Sequence, residues 1–340
     1  MEEDYLRTLL EFEARFATEE ACREYLRQSR WAEGFVCPRG EGGTAWSATR
    51  GRLICGSCRH QTSVTAGTIF ENTRKPLRLW FRTIWHVTSR KNGGSAMGLQ
   101  RVLGLGSYRT AWTWLHQLRR AMVRPGRDRL SGRIEVDETY VGGKEAGLAQ
   151  LVAVLGVVDE TYVGGKEAGV HGRETQTKAL VVVAAQEDGR GMGRIRMARV
   201  PDASAASLQG FIQDVIEPGS VVHTDGWEGY RNLEQEGYRH EVTVLRNAGK
   251  EAAVRLMPRV HRLAALLKRW LLGTHQGAVS PKHLDYYLDE YAFRFNRRKS
   301  RSRGKLFHRL VQQAVQIDPS PYNSIVGGSD WQAANHNQWG

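Results

Sequence analysis

Residues Val136 to Gly169 read VDETYVGGKEAGLAQLVAVLGVVDETYVGGKEAG. One twelve-residue phrase, VDETYVGGKEAG, occurs twice in this stretch, at an offset of 158 − 136 = 22 residues. The phrase reads as a strand with an aspartate in an apolar setting. A carboxylate buried without a partner is costly, so such an aspartate wants a cation or hydrogen bonds. The chain therefore offers two identical candidates for one strand, and two candidate acids, Asp137 and Asp159.

The surroundings of the repeat are those of an α/β domain over about residues 133–312. Arg124 to Gly132 (RPGRDRLSG) reads as a linker. After it, Ile134 to Val141 and Leu151 to Val163 are strand-like. Ala179 to Ala185 is apolar on both faces, as in a buried strand, and Arg194 to Val200 alternates like an edge strand. Leu208, Phe211, Ile212 and Val215 mark a helix. Ser220 to Thr224 is a strand ending at Asp225. Val260 to Leu272 and Leu284 to Phe295 are amphipathic helices. Strands followed by interleaved strand and helix predict a mixed sheet with helices packed on it.

Upstream, residues 1–30 predict two short helices, with Thr18 as an N-cap and Cys22 as a small core residue. Residues 31–70 are rich in Gly, Arg and Thr with short strand-like runs, a β unit too small to hold itself without a staple. Cys55-Gly-Ser-Cys58 has the spacing that lets two thiolates reach one zinc. Cys37-Pro38 opens a matching knuckle, but the partner position, 40, is glycine. Three thiolates remain, with His60 as a candidate fourth ligand; the alternative is a ribbon that folds without metal.

Residues 76–124 are helical. Gly104-Leu105-Gly106 breaks the run, and Ser107 is placed to cap the next helix, in which Ala111, Trp114, Leu115 and Leu118 repeat at helical spacing. This is the helix-turn-helix pattern. Its second helix would turn Arg109, Thr113 and His116 toward solvent or a DNA groove. The tail, 318–340, is polar and is expected to be loose.

Composition narrows the partner. The net charge is +13 and the pI is near 9.8, which favours a polyanion, most often nucleic acid. No apolar run approaches the ~20 residues of a membrane helix. The acidic, amphipathic start lacks the features of a secretory signal, so a cytoplasmic location is expected.

Two carboxylates on adjacent strands, Asp225 with Asp137 or Asp159, would suit Mg²⁺ and leave room for phosphate. In PRVHRLAALLKRW, His261 and Lys268 are seven residues apart and share a helix face. A neutral imidazole can ligate a divalent ion, and a lysine can hold a phosphate; the alternative is a solvated basic helix, as strand-end aspartates are alternatively caps or turn formers.

Several phrases coincide in order: CPRG…CGSCRHQTSVTAGTIF, KPLRLWF, VDETYVGG, HTDGWEGY, HRLAALLKRWLLGTHQG and YLDEYAFRFNRR. Together they resemble a group of bacterial insertion-sequence transposases of the DDE class, the ISXO type, from about Glu20 to Ala314. The resemblance implies an N-terminal zinc ribbon, a helix-turn-helix and an RNase H-like catalytic domain. It implies Mg²⁺- or Mn²⁺-dependent cleavage of transposon-end DNA and transfer to target DNA, by a homo-oligomer on double-stranded DNA. It also places His261 and Lys268 at the third catalytic position and its lysine, and Asp225 at the second acid. Arg297 and Arg298, which close the last phrase, complete the expected DNA-contacting set.

Two departures stand out: the missing thiolate at position 40 and the doubled first-acid motif. They keep open a catalytically impaired or co-opted DNA-binding protein as the alternative. For the doubled motif, burial of Leu151, Val152, Val154 and Leu155 at ~1.5–3 kcal/mol each prefers Asp159, with the first copy left in the linker. Against that, Gly132-Arg-Ile-Glu-Val136 is the family-like lead-in, and it precedes the first copy.

Overall fold

The computed structural model describes residues 5–40, 42–124, 126–142, 178–244, 255–277, 279–300 and 302–327. The chain divides into two compact units, residues 1–125 with 299–340, and residues 126–298.

The first unit begins with α1 (Leu9–Arg15) and α2 (Glu19–Arg30). Each is opened by a threonine: Thr8 Oγ1 accepts from the Glu11 amide and Thr18 Oγ1 from the Ala21 amide. Cys22 is fully buried on α2, and burial pushes its thiol up to about 12. Three short strands follow, β1 (Ala45–Ser47), β2 (Arg52–Cys55) and β3 (Gln61–Ser63), paired antiparallel in that order. Next come α3 (Leu77–Ser89), α4 (Ala96–Leu103) and α5 (Tyr108–Ala121).

Residues 299–312 were expected with the catalytic domain, but α9 (Arg303–Ala314) belongs to the first unit. The reason is aromatic packing. Phe307 meets Phe12 edge-on at 5.5 Å and Phe81 at 5.7 Å, while Phe12 stacks on Trp85 at 4.9 Å. Such rings dominate a core of this size. The described part of the tail is also seated: α10 (Tyr322–Gly327) buries Ile325, and Tyr322 lies against Trp112.

The second unit is a mixed α/β layer. Its sheet comprises β4 (Arg133–Val141), β5 (Ala179–Asp188), β6 (Gly191–Val200), β7 (Val221–Asp225) and β8 (Arg239–Thr243), in the order β6-β5-β4-β7-β8. β4, β5 and β6 pair antiparallel, whereas β4, β7 and β8 pair parallel. Strand alternation sorts β4 into two faces. Ile134 and Val136, both fully buried, join Leu208, Phe211, Ile212 and Val215 of α6 (Ala205–Val215) in one core. Glu135, Asp137 and Thr139 point the other way, toward α7 (Pro258–His275). A further helix, α8 (Leu284–Asn296), packs on β6.

The strand at the centre of this sheet is therefore built from the first copy of the repeated phrase. The burial argument had left that copy in the linker. Ile134 and Val136 fill the α6-facing core instead, so the first copy has a buried place in the sheet. The second expected strand, Leu151 to Val163, lies outside the described residues. Among the described residues no helix is long and apolar enough to cross a membrane.

Candidate active site

The acidic end of the site is set by two neighbouring parallel strands. Glu135 on β4 pairs with His223 on β7. Asp137 and Asp225 each stand two residues further on, so both carboxylates lie at one level on the same face. Asp137 Oδ1 accepts the Glu138 amide at 2.8 Å, and Asp225 Oδ1 accepts the Trp227 amide at 3.1 Å. These bonds fix both side chains without neutralising them.

The basic side comes from α7. Its Val260, Leu263, Leu267 and Leu271 are buried, and that stripe turns His261 toward the sheet. His261 Nδ1 is 3.8 Å from Asp137 Oδ2. Burial lowers the His261 pKa, against the opposing pull of Glu135 and Asp225. The imidazole is thus held neutral at neutral pH. Its Nε2 is buried and meets no hydrogen-bonding partner among the described residues. A neutral, buried imidazole with one ring nitrogen unpartnered and the other beside a carboxylate fits the role of a metal ligand. Lys268, two turns along, feels the charge of Asp137, while burial lowers its ammonium pKa.

Two carboxylates and one imidazole make a donor set suited to Mg²⁺ or Mn²⁺. Their ligand atoms are more widely spaced than those of a closed shell. Among the described residues the one trio of donors all within 4.8 Å of one another is Cys37, Cys55 and Cys58 in the first unit. Asp159 lies outside the described residues.

The cysteine trio fits zinc. Cys37 and Cys58 sulfurs are 3.5 Å apart, near the ~3.8 Å between two thiolates on a tetrahedral zinc. Two tight turns gather them: the Gly40 amide donates to Cys37 O at 3.4 Å, and the Arg59 amide to Cys55 O at 3.1 Å. The Cys55 thiol is drawn down to about 7, first by the backbone N–H of Cys58. His60 does not join the trio. Its carbonyl accepts the Cys55 amide at 2.9 Å, and Arg59 before it turns left-handed at φ 61°. A Cβ placed on Gly40 would meet nothing within 4 Å, so a side chain there would not clash.

The expected DNA-facing residues fare unequally. α4 ends at Gly104 in the left-handed region, φ 61° and ψ 34°, and α5 follows directly, as the glycine turn predicts. Ser107 stands at the N-cap but makes no capping hydrogen bond. Arg109 is exposed, with its guanidinium 3.4 Å from the centre of the Tyr322 ring. Thr113 donates to the Arg109 carbonyl. His116 does not face outward: it is fully buried, bonded through Nδ1 to Trp112 O at 2.9 Å and packed on the Trp112 ring. Arg297 and Arg298 turn back onto the protein. They lie over Phe293 and Phe295 and donate to the carbonyls of Phe293, Gly193 and Met192.

Sequence reasoning missed Glu135 and Arg259. Glu135 is 2% exposed and its carboxylate is bonded to Arg259 and to the start of α7. The available signal was a glutamate two residues before the acid, inside an otherwise buried strand.

Residues 156–296 match the ISXO2-like transposase domain, and residues 17–61 match the transposase zinc-ribbon domain. An uncharacterised protein in transposable element ISH50 of Halobacterium salinarum is 27% identical over 295 residues, spanning 85% of this chain and 94% of its own length. The domain match begins at Gly156 and so takes in the second copy of the phrase, whereas the folded sheet uses the first. The copies are identical from Val136 and Val158 onward. A sequence match prefers whichever copy avoids a 22-residue insertion, so it does not bear on which copy the sheet holds.

Proposed function

We propose that this chain, a transposase-type protein by its two matched domains, binds the ends of its own element as double-stranded DNA and cuts and joins them with a divalent metal. On this reading residues 126–298 form an RNase H-like catalytic unit, and the ribbon with α4 and α5 reads DNA. The carrying observation is the approach of the Asp137 carboxylate to the His261 imidazole at 3.8 Å, with Asp225 level with Asp137 on the neighbouring strand.

Asp137, Asp225 and His261 would hold Mg²⁺ or Mn²⁺, and Cys37, Cys55 and Cys58 would hold zinc. The catalytic cation would supply charge neutralisation on the phosphodiester and a more acidic water. The chain's own groups do the rest. The strands fix the direction of the two carboxylates, burial keeps His261 neutral so that its nitrogen can ligate, and Lys268 offers its ammonium to a phosphate oxygen beside Asp137. A homo-oligomer would bring two ends together.

The test is strand nicking of a duplex carrying the element's terminal repeat, with the full chain and Mg²⁺. Asp137→Ala and Asp225→Ala should each lower cleavage by about 100-fold or more while leaving DNA affinity intact. A wild-type chain that binds this DNA but never cuts it would instead be a co-opted DNA-binding protein.

A further inference from the structure

The helix that carries His261 lacks a cap of its own. Its N-cap residue, Met257, makes no side-chain hydrogen bond, and the first helical residue is Pro258. The next two amides, those of Arg259 and Val260, both donate to Glu135 Oε2, at 2.7 and 3.0 Å. Arg259 Nη1 donates to Glu135 Oε1 at 2.8 Å. The same guanidinium reaches Glu187 at 2.7 Å and the carbonyls of Gly189 and Gly191 at 2.9 and 3.0 Å. One buried carboxylate thus receives three donors, one of them a guanidinium, and one arginine ties α7 to β4, β5 and the β5–β6 turn. Charge-assisted, bidentate bonds of this kind fix direction as well as distance.

The spacing carries the effect to the site. Asp137 lies two residues beyond Glu135 on the strand, and His261 lies two residues beyond Arg259 on the helix. Glu135 holds the Arg259 and Val260 amides, and His261, the next residue of that first turn, comes within 3.8 Å of Asp137.

The repeat gives this contact a second consequence. The two copies agree from Val136 and Val158 onward, and they part at the residue before. Position 135 is glutamate, while its counterpart, 135 + 22 = 157, is valine. In the strand, the second copy would turn an isopropyl group toward the Arg259 guanidinium and two unpaired amides. Arg259 would keep Glu187 but lose one of its two carboxylates, and the two helix-start amides would lose their acceptor, a cost that an extra buried valine does not offset.

We propose that Glu135 is a positioning residue that seats the N-terminus of α7 and thereby selects the first copy of the repeated phrase, and with it Asp137, for the sheet. The assignment of a role to Asp137 rests on the metal-site reading above, whereas the selection of the strand does not.

Two readouts separate those parts. The first is backbone amide exchange in the full-length chain. In Glu135→Gln, exchange at Arg259 and Val260 should quicken about tenfold, with α6 unchanged as the internal control. In Glu135→Val combined with Val157→Glu, protection should leave Arg133–Val141. The second readout is the aspartate required for Mg²⁺-dependent cleavage. In the parent chain Asp137→Ala should abolish cutting and Asp159→Ala should not; in the swapped background the requirement should reverse. Unchanged exchange at Arg259 and Val260 in Glu135→Gln, or protection staying on Arg133–Val141 in the swap, overturns the proposal. If no form of the chain cuts DNA, the exchange measurements still decide it and only the metal-site reading falls.

Discussion

Individual side chains in the second unit are held in charge states that burial dictates. His240 on β8 is an example outside the acidic cluster. Its Nε2 is 2.9 Å from Thr224 Oγ1, next to the strand end that carries Asp225, and burial lowers its pKa below 6.5. A histidine whose folded pKa is depressed contributes stability that is present above its unfolded pKa. That stability is lost as the pH falls through the folded value. His223, bonded to Thr243 Oγ1 at 2.6 Å, is shifted in the same direction, by burial first and then by Arg133. The second unit is therefore expected to melt at progressively lower temperature as the pH is taken from 7 toward 5. His240→Gln, which removes one titrating ring, should flatten that slope. A thermal melt series followed through Trp227 fluorescence checks this, and an unchanged slope in the variant would rule His240 out as a contributor.

Helices and strands show which parts of this chain a sequence can announce. An unbroken apolar run gave away β5, which is buried on both faces, and periodic apolar residues gave away α6, α7 and α8, because each buries one face against a continuous core. Thr18 announced α2, because a local hydroxyl cap leaves a local signature. Two other helices are capped from a distance: Glu19 accepts from the Leu77 and Arg78 amides at 2.9 and 3.0 Å, and Glu135 does the same for α7. A cap that comes from 58 or 124 residues away has no sequence pattern, so both glutamates read as ordinary charges. β8 was missed for a related reason: it is an edge strand with Val242 exposed, and its pairing with β7 supplies the order that its side chains do not. Within the candidate site, Asp225, His261 and Lys268 stood out through spacing and resemblance, whereas the Glu135–Arg259 contact beside Asp137 left no mark in the sequence. The ribbon makes the opposite case, a pattern visibly broken at Gly40 with the space for the missing atom intact. Gly40→Cys should therefore complete a four-thiolate site and tighten zinc by about tenfold or more. Competition against a chromophoric chelator measures it, and equal affinity in both proteins would mean that position 40 does not face the metal.

The net charge of +13 is distributed between the two units with a pronounced bias. Residues 1–125 and 299–340 hold 25 Lys and Arg against 13 Asp and Glu, a balance of 25 − 13 = +12. Residues 126–298 hold 24 against 23, a balance of 24 − 23 = +1. On the proposed function, a unit near neutrality could gather carboxylates for metal without repelling DNA over its whole surface, and the other unit would supply the attraction. Non-specific attraction to a duplex works through released counterions, and each phosphate contact contributes about 0.9 to the slope of log affinity against log salt. That slope should therefore be set by the first unit. Arg101, exposed on α4, is a suitable probe: Arg101→Ala should reduce the slope by about 0.9. Arg231 of the second unit is equally exposed but paired with Glu228 at 2.7 Å, and Arg231→Ala should leave the slope alone. Filter binding or anisotropy between 50 and 200 mM salt, a window of about that range being where such slopes are read, gives both values. If the two substitutions shift the slope equally, the division of labour by charge is wrong, and DNA is held by the second unit as much as by the first.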